Sequence, residues 1–413
     1  MQTHLADFIK DTPEGREADS ILRTCVHCGF CLATCPTYQL LGDELDSPRG
    51  RIYLIKQMLE GEPVTEKTQL HLDRCLTCRA CETTCPSGVK YGHLVDIGRG
   101  IAEKRIGRGP LATLQRKGLR TVLPNSSLFT PLLKLGQAVR PLLPNALNQT
   151  VPPAKAQTHW PETHHARTML VLDGCVQPAL EPNINAATAR VLDKLGINLI
   201  RAEKAGCCGA VSYHLNAQDE GLSAMRHNID VWLPYLDQGA EALVMTASGC
   251  GATVKEYGYL LRNDPQYAEK AARISAATKD ISEILVGEKD RLADLLSSIV
   301  SKQKLQKTKL AFHSPCTLQH GQKITGGIEA ILTMAGFELT PVPDQHLCCG
   351  SAGTYSILQK ELSQQLLKNK VSALQTGAPA LIATANIGCL THLQSGTKTA
   401  VKHWIEVVDE LLA

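Results

Sequence analysis

The sequence lacks any apolar stretch long enough to span a bilayer, which takes about 20 consecutive residues. The nearest approach, LFTPLLKLGQAVRPLLPNAL from residue 128, is interrupted by Lys134, Arg140 and three prolines. Membrane contact, if any, is expected to be peripheral. The first twenty residues mix acids with bases and hold no apolar core before a small-residue cleavage site, so the expectation is a cytoplasmic chain. Aromatics are scarce at 4%, and a net charge of +3 with pI near 8.1 is too mild for nucleic acid as a partner. No G-x-G-x-x-G follows a strand-like run, and neither a P-loop nor a serine nucleophile elbow occurs. A chain without a hydride-handling cofactor site must draw its electrons from elsewhere. No catalytic residue for substrate oxidation is assigned to it.

What the chain has in abundance is cysteine: 16 residues in 413, grouped as eight at 25–85, four at 175–250 and four at 316–389. In a reducing compartment such groups are metal or redox ligands rather than disulfides. The run C-x2-C-x2-C-x3-C-P occurs at Cys25, Cys28, Cys31, Cys35 and again at Cys75, Cys78, Cys81, Cys85. This is the spacing that holds [4Fe-4S] clusters, the fourth cysteine of each run serving the other cluster in two-cluster proteins. The expected ligand sets are therefore Cys25, Cys28, Cys31 and Cys85 for the first cluster, and Cys75, Cys78, Cys81 and Cys35 for the second. Zinc sites ordinarily use two C-x2-C pairs with a longer loop between them.

Thirty-nine residues separate Cys35 from Cys75. Within them Ser47 and Pro48 read as the cap and first residue of a helix whose apolar face is Ile52, Ile55 and Leu59, which predicts a helical ferredoxin module over residues 1–103. Arg49 and Arg51 fall in its first turn; the ordinary expectation there is solvation, the functional one partner docking or support of a reduced cluster. Residues 104–165 read as a connector, with eight Lys or Arg and no acid from Lys104 to Arg140, then a Pro-rich linker. It is either a helical extension of the first module with its charges in water, or a cationic surface for anionic lipid or an acidic partner.

The rest of the chain repeats itself. Thirty-one residues lie between Cys175 and the pair Cys207-Cys208, and again between Cys316 and the pair Cys348-Cys349; each pair precedes a glycine, and the two halves go on to Cys250 and Cys389. Short apolar runs alternate with helical ones, predicting two duplicated βαβ-type repeats over 166–300 and 301–413 and an α+α/β fold overall. The cysteines follow the strands, where ligands gather in parallel sheets. Neighbouring cysteines in extended chain face opposite ways, so the pairs require a sharp turn, which the next glycine permits. An additional Fe-S centre held by Cys175, Cys207, Cys208, Cys250, Cys316, Cys348, Cys349 and Cys389 is the functional reading; zinc, a thiol redox pair or inert buried thiols are the others. His392, three residues after Cys389, is a further nitrogen ligand or an ordinary packed histidine.

Tandem cluster runs followed by two CCG repeats resemble the iron-sulfur subunits of flavin-linked 2-hydroxyacid and glycerol-3-phosphate dehydrogenases and, distantly, of heterodisulfide reductases. The stretches ADSILRTCVHCGFCLATCPTYQLLGDELDSPRGRIYLIKQMLEG, TASGCGATVKEYG, CTLQHGQK and HLCCGSAGTYSILQ look like the bacterial glycolate oxidase iron-sulfur subunit family. The resemblance implies partner subunits that oxidise glycolate to glyoxylate on FAD, with this chain carrying electrons toward the respiratory chain through an acceptor such as quinone. A D-lactate or glycerol-3-phosphate dehydrogenase role and a thiol or disulfide reductase at the CCG cysteines are the alternatives. The chain departs from the fuller heterodisulfide reductase pattern, with Thr253 and His392 where a further cysteine would stand.

Overall fold

The computed structural model describes residues 1–142, 151–300 and 308–413. It divides into two compact units, one of Met1–Lys117 with His346–Lys370, the other of Gly118–Gln345 with Val371–Ala413. The sequence boundary at 103 falls inside a helix, Tyr91–Ile106, and the first unit continues to Lys117. Part of the Pro-rich linker, 143–150, lies outside the described residues.

The first unit begins with helices: α1 (Pro13–Thr24), α2 (Phe30–Ala33), α3 (Pro36–Leu41), α4 (Pro48–Leu59), α5 (Glu66–Asp73), α6 (Ala80–Thr83), α7 (Tyr91–Ile106) and the start of α8 (Pro110–Val122). Local chemistry starts them. Thr12 Oγ1 accepts from Gly15 N at 3.0 Å ahead of α1, and Ser47 Oγ from Gly50 N at 3.0 Å ahead of α4, with Pro13 and Pro48 in the first turn. Ala18, Leu22, Ile55, Leu59, Leu72, Leu94, Val95 and Ala102 are fully buried between these helices, so the module is helical as its 39-residue spacer predicted.

The second unit carries two four-stranded parallel sheets. The first pairs β1 (Arg167–Val171), β2 (Ile197–Arg201), β3 (Leu243–Met245) and β4 (Thr278–Asp280) in the order β2-β1-β3-β4. The second pairs β5 (Lys309–His313), β6 (Glu338–Leu339), β7 (Leu381–Thr384) and β8 (Ala400–His403) in the equivalent order β6-β5-β7-β8. The inner strands β1, β3, β5 and β7 carry short apolar runs (MLV, LVM, LAF and LIA), as strands covered on both faces do, whereas the edge strand β4 is Thr-Lys-Asp. Trp232 stacks on Tyr257 with ring centroids 6.3 Å apart in the first core.

The sheets are joined at their strand ends. Ser248 N donates to Ala385 O at 3.2 Å, Gly249 N to Asn386 Oδ1 at 3.2 Å, and His403 Nε2 to Thr246 O at 2.9 Å. His403 also accepts from Ile405 N on Nδ1 at 3.3 Å, capping the last helix, Trp404–Leu412. One ring nitrogen accepts and the other donates, so the imidazole is neutral. Burial pushes its pKa down to about 4.

Between pH 6.5 and 4 the unfolded chain therefore binds a proton that folded His403 refuses, and stability falls as pH falls. By pH 5 this group alone should cost about 2 kcal/mol. Asp280 and Glu406, whose burial raises their pKa values to about 6 and about 7, oppose it by binding protons preferentially in the folded state. Both remain in His403→Gln, whose melting temperature should fall less steeply than the parent's from pH 7 to 5; parallel curves would contradict the assignment.

Candidate cluster sites and thiol centre

The two cysteine runs of the first unit fold alike. Each has a left-handed residue between its first two cysteines, His27 (φ 58°) or Thr77 (φ 53°), and another just after the second, Gly29 (φ 85°) or Arg79 (φ 61°). Only Gly29 adopts this without strain; His27, Thr77 and Arg79 are held there by their surroundings. The double reversal curls three cysteines around one point, with Cys31 on α2 and Cys81 on α6. Pro36 and Pro86 then turn the chain after the fourth.

Two cavities result. Cys25, Cys28, Cys31, Cys81 and Cys85 line the first, of about 440 Å³ with its open mouth, together with Ile52, Val89 and Tyr91. Cys35, Cys75, Cys78 and Cys81 line the second, of about 300 Å³, with Thr37, Arg51, Arg79 and Tyr91. Each cavity thus takes thiols from both runs. Sulfur receives hydrogen bonds already: Tyr91 Oη donates to Cys75 Sγ at 3.6 Å and Thr77 N at 3.4 Å, while Thr37 Oγ1 lies 3.3 Å from Cys35 Sγ. Burial pushes the Cys31 thiol up to about 11 and the Cys81 thiol well above its usual range. Without a cation those thiols keep their protons, and a bound metal displaces them. An all-sulfur donor set with N–H···S and O–H···S support fits an iron-sulfur cluster.

Arg51 corrects the expectation of a solvated first-turn cation. Its side chain is 1% exposed, donating from Nε to His71 O at 2.7 Å and from Nη2 to Thr37 Oγ1 at 3.1 Å and Asp46 Oδ1 at 3.3 Å. Asp46, fully buried, also accepts from Arg74 Nη1 at 2.8 Å. Arg49 stays partly exposed and pairs with Glu44 at 2.7 Å. Arg99, which no sequence signal marked, donates to Leu72 O at 2.8 Å and Cys75 O at 2.5 Å. In the connector, Arg108 and Arg116 are pulled out of water onto Asp73 at 2.7 and 3.1 Å, so those charges are not part of a free cationic face. The connector's second helix, α9 (Ser126–Val139), leaves Leu128, Leu132 and Leu135 exposed.

In the second unit the four cysteines of the first repeat converge. Cys175 and Cys208 both hydrogen-bond to Cys207, and Cys208 also to Cys250. Hydrogen bonds from Cys175 and Cys208 hold Cys207 far below the usual thiol range, while Cys175 and Cys208 are driven up. The four sulfurs thus form one hydrogen-bonded group, Cys175–Cys207–Cys208–Cys250. Its loop is clamped by Asn228 Nδ2 on Cys207 O at 2.8 Å and Tyr257 Oη on Cys208 O at 2.9 Å, and Gly209 turns at φ 88°.

The second set is distributed differently. Cys316 and Cys389 belong to the second unit, Cys348 and Cys349 to the first. Cys316 caps a π-helical turn, Thr317–Gly321, an uncommon geometry that favours functional sites. Asn386 Nδ2 donates to Cys389 Sγ at 3.5 Å, and Gly350, at φ 92°, donates its N–H to Cys348 Sγ at 3.4 Å. His392 is buried on the helix Ile387–Gly396.

Residues 21–89 match the family described as a 4Fe-4S dicluster domain, and residues 169–255 and 310–394 each match a cysteine-rich domain named CCG. The chain is 56% identical over 414 residues to the glycolate oxidase iron-sulfur subunit of Escherichia coli K12, covering 100% of this chain and 99% of that protein. The chain belongs to the glycolate oxidase iron-sulfur subunit family. The probable member from Bacillus subtilis is 31% identical over 410 residues, 91% of this chain and 89% of that one. Lactate utilization protein A of Bacillus licheniformis is 27% identical over 223 residues, covering 53% of this chain. Membership accounts for both cysteine-rich portions: the cysteines of the two cavities fall within the dicluster match, and the first-repeat thiols lie within the first CCG match. Among the described residues no helix is long and apolar enough to cross a membrane.

Proposed function

We propose that this chain is the electron-transfer subunit of a glycolate-oxidising complex, carrying electrons from FAD-containing partner subunits that convert glycolate to glyoxylate toward a respiratory acceptor such as quinone. The observation that carries the reading is the pair of cavities, each lined by cysteines of both runs in the first unit. Cys25, Cys28, Cys31 and Cys85 would hold one [4Fe-4S] cluster, and Cys35, Cys75, Cys78 and Cys81 the other. Such clusters supply one-electron carriers whose potential depends on charge, hydrogen bonds to sulfur and exposure. The protein's part is to fix the thiolates by the left-handed turns, to offer Tyr91 Oη and Thr77 N to Cys75, and to keep water from the second cavity with Tyr91 and Leu76. On this reading the chain works at the cytoplasmic face of the inner membrane, touching lipid peripherally if at all, and the ferredoxin module, the connector and the two CCG repeats are its working domains.

The converged thiols Cys175, Cys207, Cys208 and Cys250 favour a second function on the same chain, either a third metal centre or thiol redox chemistry at Cys207. Metal analysis separates them. Protein purified without oxygen should carry about eight iron and eight sulfide per chain if the repeats bind none, and about twelve of each with a third cubane centre. The chain alone, loaded and free of flavin, should not oxidise glycolate; turnover by it would overturn the subunit reading.

A further inference from the structure

The two cavities differ in the cations around them. Beside the second, Arg51 is sealed from water, and Arg99, 7% exposed, reaches Cys75 O and Leu72 O. Arg74 adds a third guanidinium, against which the one buried carboxylate is Asp46; Arg79 is matched by Glu82 at 2.9 Å. Cations outnumber carboxylates there by two. At the first cavity Arg49 is matched by Glu44 and about a third exposed, and the Met1 ammonium on Cys25 O at 2.9 Å is only partly buried. Cys28 is exposed. A charge in water is screened, whereas one sealed in protein acts at several times the strength.

The second cavity also has a neighbour that the first lacks. Tyr355, six residues after Cys349, donates from Oη to the carbonyl of Arg74 at 3.2 Å, next to Cys75. Residues 346–370 belong to this same unit, so the segment bearing Cys348 and Cys349 packs within it.

We propose that Arg51 and Arg99 make the Cys35, Cys75, Cys78 and Cys81 site the one that holds the electron, so that an electron arriving at the exposed Cys28 edge comes to rest beside Tyr355 and the segment of Cys348 and Cys349. The inference rests on the two-cluster reading. The step is a single electron transfer: the first site loses one electron as the second gains one, no bond forms or breaks, and no proton moves. Adding that electron adds a negative charge, which Arg51 and Arg99, sealed from water and with Arg74 outnumbering the single buried carboxylate Asp46, stabilise more than the wet, fully matched Arg49 does. Both arginines also satisfy carbonyls at the end of α5, a structural duty that by itself would leave the potentials alone. They are positioning residues for the electron.

The test is a potentiometric titration of the full, anaerobically loaded chain followed by electron paramagnetic resonance. The two signals are assigned with Cys35→Ala and Cys85→Ala chains. The signal lost in Cys35→Ala should be the one reduced at the higher potential. Arg99→Gln and Arg51→Met should each lower that potential enough to cut the reduced-to-oxidised ratio at fixed potential at least tenfold, which is 59 mV for one electron. Arg51→Lys should restore the parent value, and Arg49→Gln should move neither signal. If Arg51→Met does not accumulate, Arg99→Gln carries the result. Unmoved potentials, or a higher potential at the first site, overturn the inference. An iron content well below about eight per parent chain instead sinks the two-cluster reading beneath it.

Discussion

Alanine in place of Cys85 is expected to remove the cluster of the first run and spare that of the run to which Cys85 belongs. Iron should fall from about eight to about four per chain, and the surviving resonance should be the one that Cys35→Ala abolishes. The ground is geometric: Cys85 lines the cavity of Cys25, Cys28 and Cys31, while Cys35 lines that of Cys75 and Cys78. If each run served its own cluster, the two variants would exchange their losses. Because cluster binding is also folding energy, both should lower the melting temperature of the first unit even though each removes a single sulfur atom. Crossed ligation would make either cluster a staple between chain segments some 50 residues apart in sequence.

The second large effect is expected at the glycines after the cysteine pairs. A Cβ on Gly350 would lie 2.7 Å from Ser363 O and 2.9 Å from Leu366 Cβ; one on Gly209 would lie 2.7 Å from Gly221 O. Their φ values of 92° and 88° add a backbone penalty of about 1–2 kcal/mol for any L side chain. The carbonyls are helix backbone and cannot swing aside, so the clash adds a comparable amount. Gly350→Ala and Gly209→Ala should each cost about 3 kcal/mol, roughly 5–10 °C in melting temperature for units of this size. Melting curves that overlay the parent's would show that the sharp turn is dispensable.

The sequence made some of this architecture legible and hid the rest, for physical reasons. The cysteine runs at 25 and 75 stand out because a cubane asks for thiolates at a fixed spacing, so a two-cluster module could be expected from them directly, and a 4Fe-4S dicluster family matches that stretch. The duplication was legible from the equal 31-residue spacings, and the matching strand orders β2-β1-β3-β4 and β6-β5-β7-β8 follow it. Arg51 was not legible. Its burial depends on Asp46 and on the carbonyl of His71, twenty residues away, and nothing local distinguishes it from Arg49, which stays wet two positions earlier. Arg99 and Tyr355 are hidden for the same reason, since each acts through a backbone carbonyl of the 72–75 loop, and carbonyls leave no mark in sequence. The connector's arginines read as a free cationic stretch because Asp73, the acid that binds Arg108 and Arg116, lies before the stretch begins.

The first unit is discontinuous in sequence, and this sets a timetable for its manufacture. All eight cysteines of its two runs have been translated by residue 85, yet the unit takes in no further chain between Lys117 and His346, and it is finished only at Lys370. At about 5–20 residues per second, the ribosome spends roughly 11–46 s between the two portions. During that interval the second cavity stands without Tyr355 and the segment that follows Cys348 and Cys349. Metal delivered to a nascent chain thus meets the cavity's own lining complete but the Arg74 carbonyl beside Cys75 still without Tyr355, and the segment that brings Tyr355 runs on into a helix, Lys360–Gln375, whose last residues already belong to the other unit.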